Sequence, residues 1–181
     1  MAEIPHALMK VTVAQLAQEA RELSVEAFVD RYGPTALLSR PADDQMRRAA
    51  LKLNMASTVL SKSNQYLDEL LIMLRGFRTL AAFFLKPSSA PQTFTVGRQE
   101  SCDASVDDPS ISKLHASLTW TGATWRIRDE NSLNGTFVNS DELVRAEGEL
   151  SDGDALALGD FQLVFIQTRT LRSQLLTMRA A

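Results

Sequence analysis

The period of the apolar positions changes once along this chain, near residue 79. Before it, apolar residues recur at helical spacing. Thr12 is placed to cap a helix whose Val13, Leu16, Ala17 and Ala20 share one face. Ser24 is placed to cap a second helix through Asp30, which Gly33-Pro34 stops. Ala36-Leu37-Leu38 reads as a short extended piece between Pro34 and Pro41. From about 42 to 75 the pattern predicts a longer helix or a helical pair. There Met46, Leu53, Leu60, Leu67 and Leu74 recur every seven residues, and Ala49, Ala56, Ser63 and Leu70 form a companion row. Such a seam serves either as a coiled-coil face or as the packed side of helices within one domain. Ala and Ser fill most of the second row, which favours the packed side.

After residue 79 the period falls to two. A Phe-rich run at 80–85 is short enough for a buried strand, and 93–96 leads into Gly97-Arg98. Segments 116–120 and 124–128 alternate around Thr121-Gly122, as a hairpin does. This reading puts Leu118 and Trp120 on one face, Trp125 and Ile127 on another. Segments 155–158 and 161–166 complete the set, and 171–178 can add a basic helix. Many short strands with regular turn signals indicate an antiparallel β-sandwich. The expected architecture is therefore α+β in two parts: a helical region at 1–78, a sandwich at 79–168, and a basic C-terminal tail at 169–181.

Charge sharpens this division. The net of −3 conceals 11 basic and 9 acidic side chains up to residue 90, then 5 basic and 13 acidic at 91–168, a net of −8. Residues 169–181 carry three arginines and no acid. A domain at −8 repels nucleic acid, so any phosphate must be held by a few aimed donors. One cysteine, Cys102, excludes an internal disulfide and fits a reducing, cytoplasmic setting. The apolar runs are far shorter than the ~20 residues of a membrane span. No Gly-rich phosphate loop, metal-ligand cluster or nucleophile–base arrangement is present, so neither an enzyme nor a bound cofactor or metal is expected.

Between the strands lie Gly97-Arg98, then Ser110-Ile111-Ser112-Lys113-Leu114-His115, then Asn131-Ser132-Leu133-Asn134-Gly135-Thr136-Phe137-Val138-Asn139. In this order and spacing, roughly 79–168 resembles the forkhead-associated (FHA) family, a β-sandwich that recognises phosphothreonine. The resemblance implies a non-catalytic adaptor in Ser/Thr kinase signalling. Its partner would be a threonine-phosphorylated protein, a kinase or a kinase substrate. Carried over residue by residue, it puts Arg98, Ser112 and Lys113 around the phosphate and Asn134 on the peptide backbone. Gly97, His115, Gly135 and Asn139 fall to structural roles. Each also has a plainer reading: Arg98 can end a strand on the surface, Ser112 can close a turn, and Asn134-Gly135 is a turn signal by itself. The rival function is a structural protein that self-associates through the helical region.

One position departs from the family pattern. Leu133 stands where many relatives carry a hydroxyl or polar residue. Losing a hydrogen bond to a charged group costs about 1.5–3 kcal/mol, roughly ten- to a hundredfold in affinity, less if a backbone donor or water substitutes. A site of micromolar affinity or weaker is expected. Leu133→Thr should tighten binding of a phosphothreonine peptide in a calorimetric titration; unchanged or weaker affinity would refute this account of the position.

Overall fold

The computed structural model describes residues 9–39, 79–144 and 146–177. The seven-residue seam at 42–75 lies outside them. After β1 (Met9–Thr12), the Thr12 hydroxyl accepts from Gln15 N and opens α1 (Val13–Glu22). The Ser24 hydroxyl accepts from Ala27 N and opens α2 (Val25–Tyr32), two residues longer than the sequence indicated and closed by Gly33 at φ 86°. The chain then turns into β2 (Thr35–Ser39). Beyond it come β3 (Thr79–Leu85), β4 (Gln92–Gly97), β5 (Ala104–Ser105), β6 (Ala116–Trp120) and β7 (Trp125–Asp129). The last elements are β8 (Thr136–Val138), β9 (Asp141–Glu142), β10 (Glu147–Leu150), β11 (Ala155–Leu158), β12 (Phe161–Gln167) and a C-terminal helix, α3 (Thr168–Thr177).

These strands form two sheets. One runs β1-β3-β2-β12-β11-β8-β9, the other β10-β7-β6-β4-β5. The pairings are antiparallel except β4 with β5, which run parallel. The sheets bury one core between them, to which Leu37, Phe83, Phe94, Trp125, Leu156 and Phe165 contribute. A second core lies on the other face of the larger sheet, where Leu16, Phe28, Leu171 and Leu175 of the helices cover Ala36, Leu38, Ala82 and Ile166. Alternation along a strand explains the split: Leu37 points to one core, Ala36 and Leu38 to the other. A strand covered on both faces needs apolar residues at successive positions, and all five residues of β2 are buried.

Several sequence expectations change here. Residues 9–39 are not purely helical, and the larger sheet runs straight across the expected boundary at 78. β2 sits between β3 and β12, with Leu37 opposite both Phe83 and Phe165. A three-residue apolar run gives no local clue to such neighbours, because the pairing is set by distant residues. The basic C-terminal segment is also no free tail: α3 buries Leu171 and Leu175, and Arg172 Nη2 donates to Leu23 O at 2.7 Å. Trp120 and Trp125 face one another across the β6–β7 pair, ring centroids 5.5 Å apart, and Leu118 lies opposite Ile127. All four therefore share one face, since residues directly opposite in an antiparallel pair point the same way. The strands β1, β5, β8, β9 and β10 were not legible, being two to four residues long and too short to show a period.

The continuity of the sheet has a measurable consequence. Leu38→Ala removes a fully buried side chain from the outer core and should cost about 2–5 kcal/mol. The urea midpoint read from tryptophan fluorescence should fall accordingly, although Trp125 lies in the other core. An unchanged midpoint would show that residues 9–39 unfold on their own.

Candidate functional site

Three connections meet at one end of the smaller sheet: residues 98–103 after β4, 106–115 before β6, and 130–135 after β7. The first two run side by side. Arg98 N donates to Ser112 O at 2.9 Å, and Gln99 N to Lys113 O at 3.0 Å. Gly97 makes this approach feasible, because a Cβ there would stand 2.2 Å from Lys113 O and 2.9 Å from Cys102 Sγ. The Cys102 thiol donates to the same carbonyl at 3.3 Å. Burial pushes its pKa up, so it acts as a packing group.

Arg98 is exposed, and its Nε donates to Ile111 O at 3.3 Å. That bond fixes the stem of the guanidinium beside Ser112 and leaves the two Nη groups without a hydrogen bond to a described residue. Ser112 is half-buried, and its Oγ accepts from Leu133 N at 2.9 Å. With that oxygen already an acceptor, the hydroxyl proton is available to donate outward. The exposed Lys113 side chain adds charge at the same rim. Asn134, also exposed, donates from Nδ2 to Ser110 O at 2.8 Å, which leaves Oδ1 and one N–H toward solvent. The Leu133 side chain is 88% exposed, so this residue serves the site through its backbone N–H. Arg98, Ser112 and Asn134 thus stand on neighbouring loops joined by hydrogen bonds.

His115 is fully buried beneath them. Its Nδ1 accepts from Ser112 N at 3.0 Å, which makes Nε2 the protonated nitrogen facing Gly135 O at 3.0 Å. Burial holds its pKa below the ordinary value, against opposing effects from the Gly135 carbonyl and the Asp129 charge. Gly135 adopts φ +79°, open to glycine and strained for other residues. Asn139 lies apart from this cluster. It ties the β8–β9 turn to the β10–β11 loop, donating to Asp154 Oδ1 at 2.7 Å and accepting from Ala155 N at 3.0 Å.

Sequence reasoning passed over Asp129, Ser132 and Ser110. Asp129 Oδ1 accepts from Ser132 N at 2.9 Å, and Oδ2 accepts from the Ser132 and Thr136 hydroxyls, both at 2.6 Å. Ser132 Oγ in turn accepts from Gly135 N at 3.0 Å. Burial opposes the ionised carboxyl, yet these donors hold its pKa below the ordinary range. The signal was an aspartate three residues before a serine, a spacing that builds side-chain-to-backbone turns. Ser110 donates to Asp108 Oδ1 at 2.6 Å and accepts from Asp160 N at 3.2 Å.

The family model described as FHA domain matches residues 94–159. This part of the chain is an FHA domain. Its curated relatives include an oxoglutarate dehydrogenase inhibitor of Corynebacterium diphtheriae, 37% identical over 98 residues, 54% of this chain and 64% of that protein. The glycogen accumulation regulator GarA of Mycolicibacterium smegmatis is 34% identical over 97 residues, 54% of this chain and 58% of that protein. The FHA-containing chain thus spans less than two thirds of the length of these relatives. A solved structure from work on phosphothreonine-dependent FHA domain interactions is 29% identical, with a TM-score of 0.40 over 43% of this chain and 79% of that one. Among the described residues no group of three or more His, Cys, Asp or Glu could hold a metal ion, and no helix is long and apolar enough to cross a membrane.

The neutral His115 gives the FHA domain a pH dependence of stability. A histidine whose folded pKa is depressed takes up protons more readily when unfolded. Its stabilisation is therefore complete above about pH 6.5 and is lost as pH falls below it, at up to ~1.4 kcal/mol per pH unit. The urea midpoint should drop between pH 7.5 and 5.5, and His115→Gln should flatten that slope. An equal slope in the variant would locate the titrating group elsewhere.

Proposed function

We propose that the FHA domain makes this chain a non-catalytic adaptor in Ser/Thr kinase signalling, docking onto a threonine-phosphorylated protein. FHA domains are phosphothreonine-binding modules of the class that reads phosphorylated motifs with arginine. The observation that carries the reading is the state of Arg98: stem held by Ile111 O, forked end open, Ser112 hydroxyl alongside. A phosphothreonine brings about −1.5 to −2 charge and three acceptor oxygens, which a guanidinium meets in bidentate geometry better than an ammonium does. In this reading Arg98 clamps the phosphate, Ser112 donates its hydroxyl proton, Lys113 adds charge, and Asn134 uses its open amide atoms on the peptide backbone. Leu133 lines the site and contributes its amide to Ser112. Gly97, His115 and Gly135 hold the loops, and Asn139 holds the next turn.

The partner is a Ser/Thr kinase or one of its substrates, in the cytoplasm, with neither nucleic acid nor membrane engaged. The relatives named as an inhibitor of oxoglutarate dehydrogenase and a regulator of glycogen accumulation support a regulator that acts by docking rather than by catalysis. The rival is a self-associating structural protein in which phosphate recognition is weak or lost, and the exposed Leu133 is the observation in its favour.

Binding to a degenerate phosphothreonine peptide pool separates the two. The wild-type chain should retain peptides with micromolar or weaker affinity, and phosphatase treatment should remove them. Arg98→Ala should lose about 2–5 kcal/mol, at least about thirtyfold. Retention of the same peptides by Arg98→Ala would remove this assignment, and no retention by the wild type, with a dimer in sedimentation, would favour the rival.

A further inference from the structure

The Asp129 carboxylate is hydrogen-bonded to Ser132 and Thr136 rather than to Arg98, Ser112, Lys113 or Asn134. It nonetheless sets the shape of the loop that carries the Asn134 side chain and the Leu133 amide. Both oxygens are used within that loop: Oδ1 by Ser132 N, Oδ2 by the Ser132 and Thr136 hydroxyls. Donating its proton to Asp129 leaves Ser132 Oγ as an acceptor, and Gly135 N donates to it. The turn is closed at both ends, at Ser132 and Gly135, with Leu133 and Asn134 held between. Leu133 N then points at Ser112 Oγ, and Asn134 Nδ2 reaches Ser110 O. Asp129 is half-buried and Thr136 fully buried, so these bonds act where water competes less well.

We propose that Asp129 is the positioning residue of this binding site: through Ser132 it fixes the Leu133 amide that orients the Ser112 hydroxyl, and the Asn134 side chain beside it. Because the Leu133 amide occupies the Ser112 oxygen, the hydroxyl proton is turned toward the ligand rather than toward the loop. Loss of the carboxylate frees Ser132 to rotate, so the Ser112 donor and the Asn134 amide both become mobile. The inference rests on the phosphothreonine reading for its effect on affinity, whereas its effect on the loop stands independently.

The test uses the full chain and a peptide selected by the wild type from a degenerate phosphothreonine pool. Asp129→Asn keeps the side-chain shape but replaces one acceptor oxygen with a donor, and should weaken that peptide about tenfold. The decisive measurement is the double-mutant cycle with Asn134→Ala. If Asp129 works through this loop, the cost of Asn134→Ala shrinks in the Asp129→Asn background. A residue that only stabilised the fold would lower the melting temperature and leave two additive binding effects. Affinity within twofold of wild type, or strict additivity, overturns the proposal. Should Asp129→Asn fail to fold, Ser132→Ala breaks the same connection with the charge retained, and the same outcomes apply. Should the wild type select no peptide, the phosphothreonine reading fails, and hydrogen exchange decides the remainder. Faster exchange of the Leu133 and Gly135 amides in Asp129→Asn upholds the positioning role; unchanged rates overturn it.

Discussion

A neutral imidazole with a hydrogen bond on each ring nitrogen joins the two loops on which the site depends. His115 accepts from Ser112 N on one side and meets Gly135 O on the other, while its backbone N–H donates to Val96 O and its C=O accepts from Glu130 N. A buried polar ring is costly unless its hydrogen-bonding groups are satisfied, and here each has a partner. The same partners fix its tautomer. Protonating Nδ1 would set a donor against the Ser112 N–H, so the loops favour the uncharged ring by direct opposition as well as by burial. Gly97, Gly135 and Asp129 refine an arrangement that this one side chain anchors.

The electrostatics of the site follow from locality. The phosphate proposed to dock here would meet a stretch, 91–168, with 13 acidic and 5 basic side chains. Exposed charges more than about 8–10 Å away are largely screened at physiological ionic strength, so the net charge acts mainly on approach. In the proposed reading binding is decided within the first few ångströms, where Arg98 and Lys113 are exposed. Several of the acids, moreover, are occupied within the fold. Glu130 accepts from Ser117 and Arg128, Asp154 from Asn139, and Asp129 from the loop described above. A carboxylate surrounded by donors presents less charge to an incoming phosphate than the count suggests. The acidic balance therefore weighs little against the proposed site.

How much of this was legible in the sequence depends on the range of the interaction. Thr12 and Ser24 were readable as helix caps because a cap is completed within three residues. The β6–β7 hairpin was readable because its turn and both strands adjoin. Gly97 drew notice as part of a motif, although the reason it must be glycine, a carbonyl 2.2 Å from its absent Cβ, lies sixteen residues away at Lys113. The place of β2 between β3 and β12 was not legible, since it is fixed by partners more than forty and more than a hundred residues distant. The shared face of Trp120 and Trp125 was missed for a different reason. Alternation gives each strand's faces separately, and only the register shows which faces coincide. Asp129 escaped because single aspartates in polar loops are common, and its four-residue network is seen only once the turn is closed.

The sheet order also explains why residues outside 94–159 matter to those inside it. That segment supplies the smaller sheet, apart from Gln92 and Thr93 at the start of β4, and, in the larger one, β8, β9 and β11. Its β11 must pair onward with β12, which pairs with β2, which pairs with β3. Without these three strands Trp125 and Phe94 would lose Phe165, Leu37 and Phe83 from the core they share. The helices are then a consequence of the added strands. β2, β3 and β12 present Ala36, Leu38, Ala82 and Ile166 to the outside, and a sheet that is apolar on both faces requires a layer on each. Thus α1, α2 and α3 cover a face created by strands that the binding loops need, which makes the N-terminal segment a structural part of the FHA domain's support.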